Sequence, residues 1–309
     1  MAPWLSEKES RYDIGPIDEL MNATSIPASF SFPRRDGHTH TQFCPHGSRE
    51  ATEQFIERAI ALGFETYSLT EHPPLPRSFI DPTPDQSCGM RWEDLEPYLL
   101  QAQELKKRYA GRIEIRVGLE VDYLPDHQPD VRNMLDTYGP HLDDALLSVH
   151  FLEGKGGWRC VDLSPEDFQD GLIDPYGSVE AVHQAYWATV KQAVEADLGF
   201  YKPRRMSHLS LAHKFQLKHP LKNPLHFRTQ VLEILDKIRE RGMELDLDAA
   251  GLFKPDCREI YPAPWIMAEA VKRGIPFVYG SDTHSVKGVG QGFDEAKRIL
   301  TSVGSSPRE

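Results

Sequence analysis

From Arg34 onward, short apolar and β-branched runs alternate with longer stretches whose apolar positions recur at helical spacing. The short runs predict strands at Thr66–Thr70, Ile113–Leu119, Ala145–Val149, Arg205–Leu209, Met243–Leu247 and Pro276–Tyr279, with a further strand leading into Asp36–His40. The longer stretches predict helices over Ser48–Leu62, Trp92–Arg108, Pro129–Tyr138, Ser178–Ala196, Leu225–Arg241, Pro264–Arg273 and Asp294–Leu300. In Leu225–Arg241 the residues Phe227, Val231, Leu232, Ile234, Leu235 and Ile238 share one face, and Gly242 stops the helix. Seven strand–helix alternations predict a single-domain α/β protein, a parallel (β/α) barrel. An open doubly wound sheet is the second choice, weakened because no glycine-rich phosphate loop follows the first strand. Residues 1–33 carry no sustained period and read as an extension ahead of a barrel spanning 34–309. Two long connections, Pro73–Arg91 and Phe151–Gly177, have the length of functional loops.

Composition narrows the function. A net charge of −12 argues against a nucleic-acid binder, which needs a Lys/Arg surplus. No apolar run is long enough to span a bilayer, and the N-terminus lacks the apolar core of a signal peptide. Cys44, Cys88, Cys160 and Cys257 are scattered without a CxxC pair, so reduced thiols and a cytoplasmic address are expected. Thirteen histidines are an excess, and their placement carries the chemistry.

Asp36-Gly37-His38-Thr39-His40 is followed closely by His46. In an extended segment residues i and i+2 face the same way, so His38 and His40 can reach one cation. A lone HxH is weak evidence, and a lone histidine after a strand is more often a satisfied polar residue. Recurrence changes the odds. Glu71-His72, Glu120, His150, His208 and Asp282-Thr283-His284 each close another predicted strand. A parallel barrel gathers such ends at its C-terminal face. Asp36 either orients an imidazole or simply ends its strand. His213 competes with His208. His127, His141, His183, His219 and His226 have no supporting pattern and read as structural or surface residues.

The segments DGHTHTQFCPHG, LTEHPPLP, GLEVDY, SVHFLEG, SHLSLAHKF, AGLFKPDCREIYP and GSDTH together resemble the PHP (polymerase and histidinol phosphatase) superfamily, most closely its histidinol-phosphate phosphatase branch. The resemblance implies a distorted (β/α)7 TIM-like barrel holding two or three divalent cations; mixed nitrogen and oxygen ligation suits zinc, iron or manganese. Carried over by position, it implies a first site of His38, His40, Glu120 and Asp282. Glu120 would bridge to a second site with His150 and His208, and His46, His72 and His284 would form the third. One departure stands out: Ser207-His208-Leu209-Ser210-Leu211 replaces the family's Gly-His-x-Asp-Leu.

The implied activity is hydrolysis of L-histidinol phosphate, a step of histidine biosynthesis, by hydroxide generated on the cations, with no covalent intermediate. Neither Cys44 nor Cys160 sits in a cysteine-phosphatase loop. Lys254, and with less support Arg258 and Lys214, are candidates for the phosphate; Asp122 and Glu259 for the substrate's cationic groups; Trp158 for a cover. The rival readings are a phosphoesterase for nucleotides or other small esters, and a metal-binding module without turnover. The sequence leaves the oligomeric state open.

Overall fold

The computed structural model describes residues 32–304, so the extension read at residues 1–33 lies almost wholly outside the described residues. Seven parallel strands form one sheet: β1 (Arg35–Asp36), β2 (Thr66–Glu71), β3 (Glu114–Asp122), β4 (Asp144–Ser148), β7 (Arg205–Met206), β8 (Glu244–Asp248) and β9 (Phe277–Gly280), neighbours in that order. The sheet closes on itself. Beyond β1 and β9 the chains run on as partners, with Gly37 N donating to Tyr279 O at 2.8 Å, Asp282 N to His38 O at 2.9 Å and His40 N to Thr283 O at 3.0 Å. Closure rules out the open doubly wound sheet and leaves a barrel.

Helices α1 (Thr52–Ala61), α2 (Trp92–Arg108), α3 (Gln128–Tyr138), α4 (Val179–Glu195), α5 (Arg228–Glu240), α6 (Pro264–Lys272) and α7 (Phe293–Gly304) cover the outside. Of the stripe its periodicity marks, α5 buries Val231, Ile234, Leu235 and Ile238, while Leu232 is partly buried. Helix α1 starts four residues later than its pattern suggests, because Ser48 N is taken by His284 O at 2.8 Å and Ser48 Oγ by Glu50 at 2.8 Å. Strand β7 stops at Met206, where the chain turns to present His208. The Phe151–Gly177 connection is not irregular as expected: β5 (Phe151–Gly154) and β6 (Gly157–Cys160) form an antiparallel hairpin, followed by short helical turns through Tyr176.

The lower interior of the barrel is ionic. Arg205, 1% exposed, donates to Gly37 O at 2.7 Å and to Asp144 Oδ2 at 3.1 Å. Arg35 and Ser68 each reach the same carboxylate oxygen at 2.6 Å. Burial alone would raise the Asp144 carboxyl, but Arg205 and then Arg35 outweigh it and hold it below its ordinary range.

Candidate metal centre

The expected ligands lie at or just beyond the C-terminal ends of strands, except His46, which comes from the loop between β1 and α1, and the barrel curvature turns them toward one another. Glu120 on β3 sits at the middle, 1% exposed. Its Oε2 is 3.0 Å from His38 Nε2 and 3.4 Å from both His40 Nε2 and His72 Nδ1. Its Oε1 is 2.9 Å from His208 Nε2 and 3.6 Å from His150 Nε2. Asp282 Oδ1 is 3.1 Å from His40 Nε2.

Three of these imidazoles are fixed from behind by a carboxylate. His38 Nδ1 lies 2.6 Å from Asp246 Oδ2, His40 Nδ1 3.1 Å from Glu71 Oε1, and His150 Nδ1 2.7 Å from Asp122 Oδ1. A carboxylate only accepts, so each Nδ1 carries hydrogen and each neutral ring aims the Nε2 lone pair at the centre. The result is a set of electron-rich atoms facing one another. His38 Nε2 and Glu120 Oε2 are buried without a hydrogen-bond partner despite their proximity. His46 and His284 show it best. Their Nδ1 atoms donate to the carbonyls of Ser87 (2.7 Å) and Asp282 (3.1 Å), leaving two Nε2 lone pairs 2.9 Å apart. His150 and His208 face each other at 3.1 Å. A proton or a cation has to lie between such pairs, and the donor set of imidazoles with bridging carboxylate suits divalent transition metals.

The electrostatics without cations point the same way. Burial opposes charge on His38, yet Glu120 and Asp246 raise it well above its ordinary value. Burial is likewise outweighed at His40, raised to about 9 by Asp282 and Glu71, and at His150, raised to about 10 by Asp122. Burial and then His40 push both His72 and His284 well below the ordinary range. The pocket therefore demands positive charge at several points.

The structure groups ligand-type atoms within 4.8 Å as His38, His40 and Glu120; Glu120, His150 and His208; and His40, Cys44, His72 and His284. The second contains the residues expected for the second site, and the first contains those expected for the first site except Asp282, whose Oδ1 lies 3.1 Å from His40 Nε2. The third adds His40 and Cys44 to the expected His72 and His284, while His46, outside that grouping, still brings its Nε2 to 2.9 Å from His284 Nε2. Burial and then Glu71 push the Cys44 thiol upward, so it stays protonated. A fourth grouping, His38 with Asp246 and Asp248, was not legible as ligands in the sequence.

His213 stays outside, its ring 5.1 Å from His183 and its Nδ1 3.5 Å from Glu259 Oε1, so His208 holds the place for which the two competed. Asp36 orients no imidazole; it accepts from Ser281 N at 2.9 Å and ties β1 to the end of β9. Burial, only partly offset by Ser281, raises its carboxyl to about 7. At the departure from the family pattern, Ser207 Oγ bonds Glu120 Oε1 at 3.1 Å and Ser210 Oγ accepts from Ala263 N at 3.1 Å.

A cavity of ≈ 480 Å³ opens above the cluster. Lys254 and Lys214 line it. Lys214 is neutralised by Asp162 at 2.8 Å, whereas Lys254 has no carboxylate partner among the described residues. The other expected substrate contacts are elsewhere. Asp122 is committed to His150, Arg258 is exposed on a left-handed backbone (φ 59°), and Glu259 faces His213. Trp158 packs against Phe79 at 5.9 Å outside the lining. Asp246 and Asp162 are functional positions that sequence reasoning passed over, and Glu71 was marked only as part of a strand-end motif with His72. For Asp246 a signal existed: Glu244-Leu-Asp-Leu-Asp248 places charges on alternate residues of a buried strand, hence on its interior side.

A model of the PHP domain family matches residues 36–250. The histidinol-phosphatase of Bacillus subtilis is 43% identical over 261 residues, covering 84% of this chain and 97% of that protein. A probable histidinol-phosphatase of Deinococcus radiodurans is 32% identical over 269 residues, covering 87% and 93%. A Listeria monocytogenes crystal structure, of a protein assigned but not established as a histidinol phosphatase, superposes with a TM-score of 0.82 at 43% identity, over 84% of this chain and 99% of that one. The histidinol phosphate phosphatase of Lactococcus lactis, solved with zinc, L-histidinol and phosphate, shares the fold with a TM-score of 0.68 at 17% identity, over 90% of this chain and 96% of that one.

Proposed function

The chain belongs to the PHP domain family, and from that premise we propose that it hydrolyses L-histidinol phosphate to L-histidinol and inorganic phosphate. The observation that carries the reading is the convergence of imidazole lone pairs on Glu120 at the floor of a cavity sized for a small molecule. In this reading His38, His40, Glu120 and Asp282 hold one divalent cation; Glu120, His150 and His208 a second; and His46, His72 and His284 a third. Zinc, iron or manganese fits the donors.

Cations bound there would supply Lewis acidity, lowering the pKa of water toward ~7 and offsetting charge on the phosphoryl oxygens. The chain's own residues prepare the site. Asp246, Glu71 and Asp122 hold His38, His40 and His150 in the tautomer that presents Nε2. Ser207 and Ser148, the latter 2.7 Å from Glu120 Oε1, keep the central carboxylate from turning. Lys254 is the cation available to a substrate phosphate, because Lys214 is already paired. Among the described residues no helix is long and apolar enough to cross a membrane, and four free thiols support a cytoplasmic address.

A phosphate-release panel tests the reading. L-histidinol phosphate should be turned over far faster than nucleoside monophosphates or generic monoesters, and chelation should abolish activity until divalent metal is restored. Preference for nucleotides, or full activity in a metal-free preparation, would overturn it.

A further inference from the structure

The cavity wall carries two thiols that hydrolysis does not use. Cys160 ends β6, opposite Phe151 of β5, and is 7% exposed. Cys88 comes from the long loop after β2 and is partly exposed; Asp81 Oδ2 accepts from its amide at 2.9 Å. These distant segments meet. Cys88 packs on the small apolar cluster of Phe79, Leu124, Phe151 and Cys160, and both cysteines line the cavity. Cys88 Sγ donates to Thr83 Oγ1 at 3.8 Å and Cys160 Sγ to Asp162 Oδ1 at 2.9 Å. Cys44 and Cys257 are elsewhere, one beside the histidines and the other bonded to Glu259 O at 3.5 Å.

We propose that Cys88 and Cys160 are a dithiol pair that closes to a disulfide across the cavity wall when small-molecule disulfides accumulate. The more accessible Cys88 sulfur attacks the small disulfide, forming a mixed disulfide and releasing one small thiol. The Cys160 sulfur then attacks the Cys88 sulfur and displaces the second small thiol, which takes up the Cys160 proton. Two protein thiols become one disulfide while one small disulfide becomes two thiols. The bridge fastens the loop after β2 to the β5–β6 hairpin. Ser87, whose carbonyl holds His46 Nδ1, is the residue beside the bridge, so closure bears directly on the catalytic rim.

The test incubates the metal-loaded enzyme with graded ratios of reduced and oxidised glutathione, blocks free thiols, and maps peptides by mass spectrometry without reduction. Wild type should yield a Cys88–Cys160 cross-linked peptide. Cys160→Ser should accumulate glutathione on Cys88, and Cys88→Ser should leave Cys160 unmodified. Stable glutathione on wild-type Cys88 without the cross-link, or no modification at all, overturns the proposal. Hydrolysis is read in parallel, each variant normalised to its own reduced activity. The oxidised wild type should lose several-fold in kcat/KM and recover with dithiothreitol, while Cys88→Ser does not respond. A cross-linked wild type with undiminished activity refutes the coupling to the rim. The peptide map does not depend on which phosphoester is the substrate, so its result stands apart from the functional reading.

Discussion

Asp122→Asn separates the carboxylate's charge from its shape. Asp122 Oδ1 lies 2.7 Å from His150 Nδ1, and the two side chains are 6% and 11% exposed. A hydrogen bond to a charged group in such surroundings contributes about 1.5–3 kcal/mol. Asparagine can still accept from Nδ1 through its carbonyl, so the tautomer survives while the charge goes. Roughly half of that contribution, about 1 kcal/mol, should be lost, which is about fivefold in metal affinity at the His150 site. Asp122→Ala removes orientation as well and should approach the ~100-fold end of the range for partners behind metal ligands. Metal content after dialysis against limiting zinc, alongside kcat/KM at saturating metal, reads both effects. Melting curves at saturating metal check that the fold is intact. If both variants bind metal and turn over as wild type does, His150 is not oriented by Asp122 and the lone-pair account of this corner fails.

Three further outcomes follow from the same geometry. Chelation should lower Tm by about 5–10 °C, since ligand at ~100 times its Kd contributes ~2.7 kcal/mol and a chain of this size moves roughly 2–4 °C per kcal/mol; an unchanged Tm would mean that the facing imidazoles do not need a cation. Lys254→Met should lower kcat/KM for the phosphoester about tenfold with little change in Tm, whereas Lys214→Met, which strands Asp162, should cost stability; equal effects on both readouts would remove the distinction drawn between them. Arg205→Met should destabilise by about 3 kcal/mol at pH 7. Asp144 is held below its unfolded value, so its ionic contribution is complete above the ordinary carboxylate pKa of ~3.9 and is lost as pH falls through the lower folded value; denaturant melts should show the gap to wild type narrowing in acid, and a constant gap would point to packing instead.

The barrel was legible because its period is local: β2 and β8 are short buried runs, and α2 occupies the very residues, Trp92–Arg108, that its pattern marks. The ligand set was legible for a related reason, since a parallel barrel places strand ends together whatever lies between them. What the sequence hides is direction and depth. Arg258 and Glu259 follow a rim segment and were natural substrate contacts, but the left-handed backbone at Arg258 sends it to solvent. Glu71 sits beside His72 and looked like part of one strand-end motif, yet it serves His40, 31 positions earlier. The hairpin had a signal that went unused: Lys155-Gly156 is a two-residue turn between short strands, and Gly156 takes φ 80°.

Gly280 brings no functional group to the centre, yet a methyl group there would come within 2.6 Å of both Asp246 Oδ1 and the His38 Cβ. The pairing of that aspartate with that histidine thus depends on the absence of a side chain at the end of β9. Mutational surveys that truncate side chains to alanine pass over such a position, because there is nothing to truncate. The vacancy is as much a component of the catalytic architecture as the imidazole it admits, and the smallest possible addition would be enough to displace it.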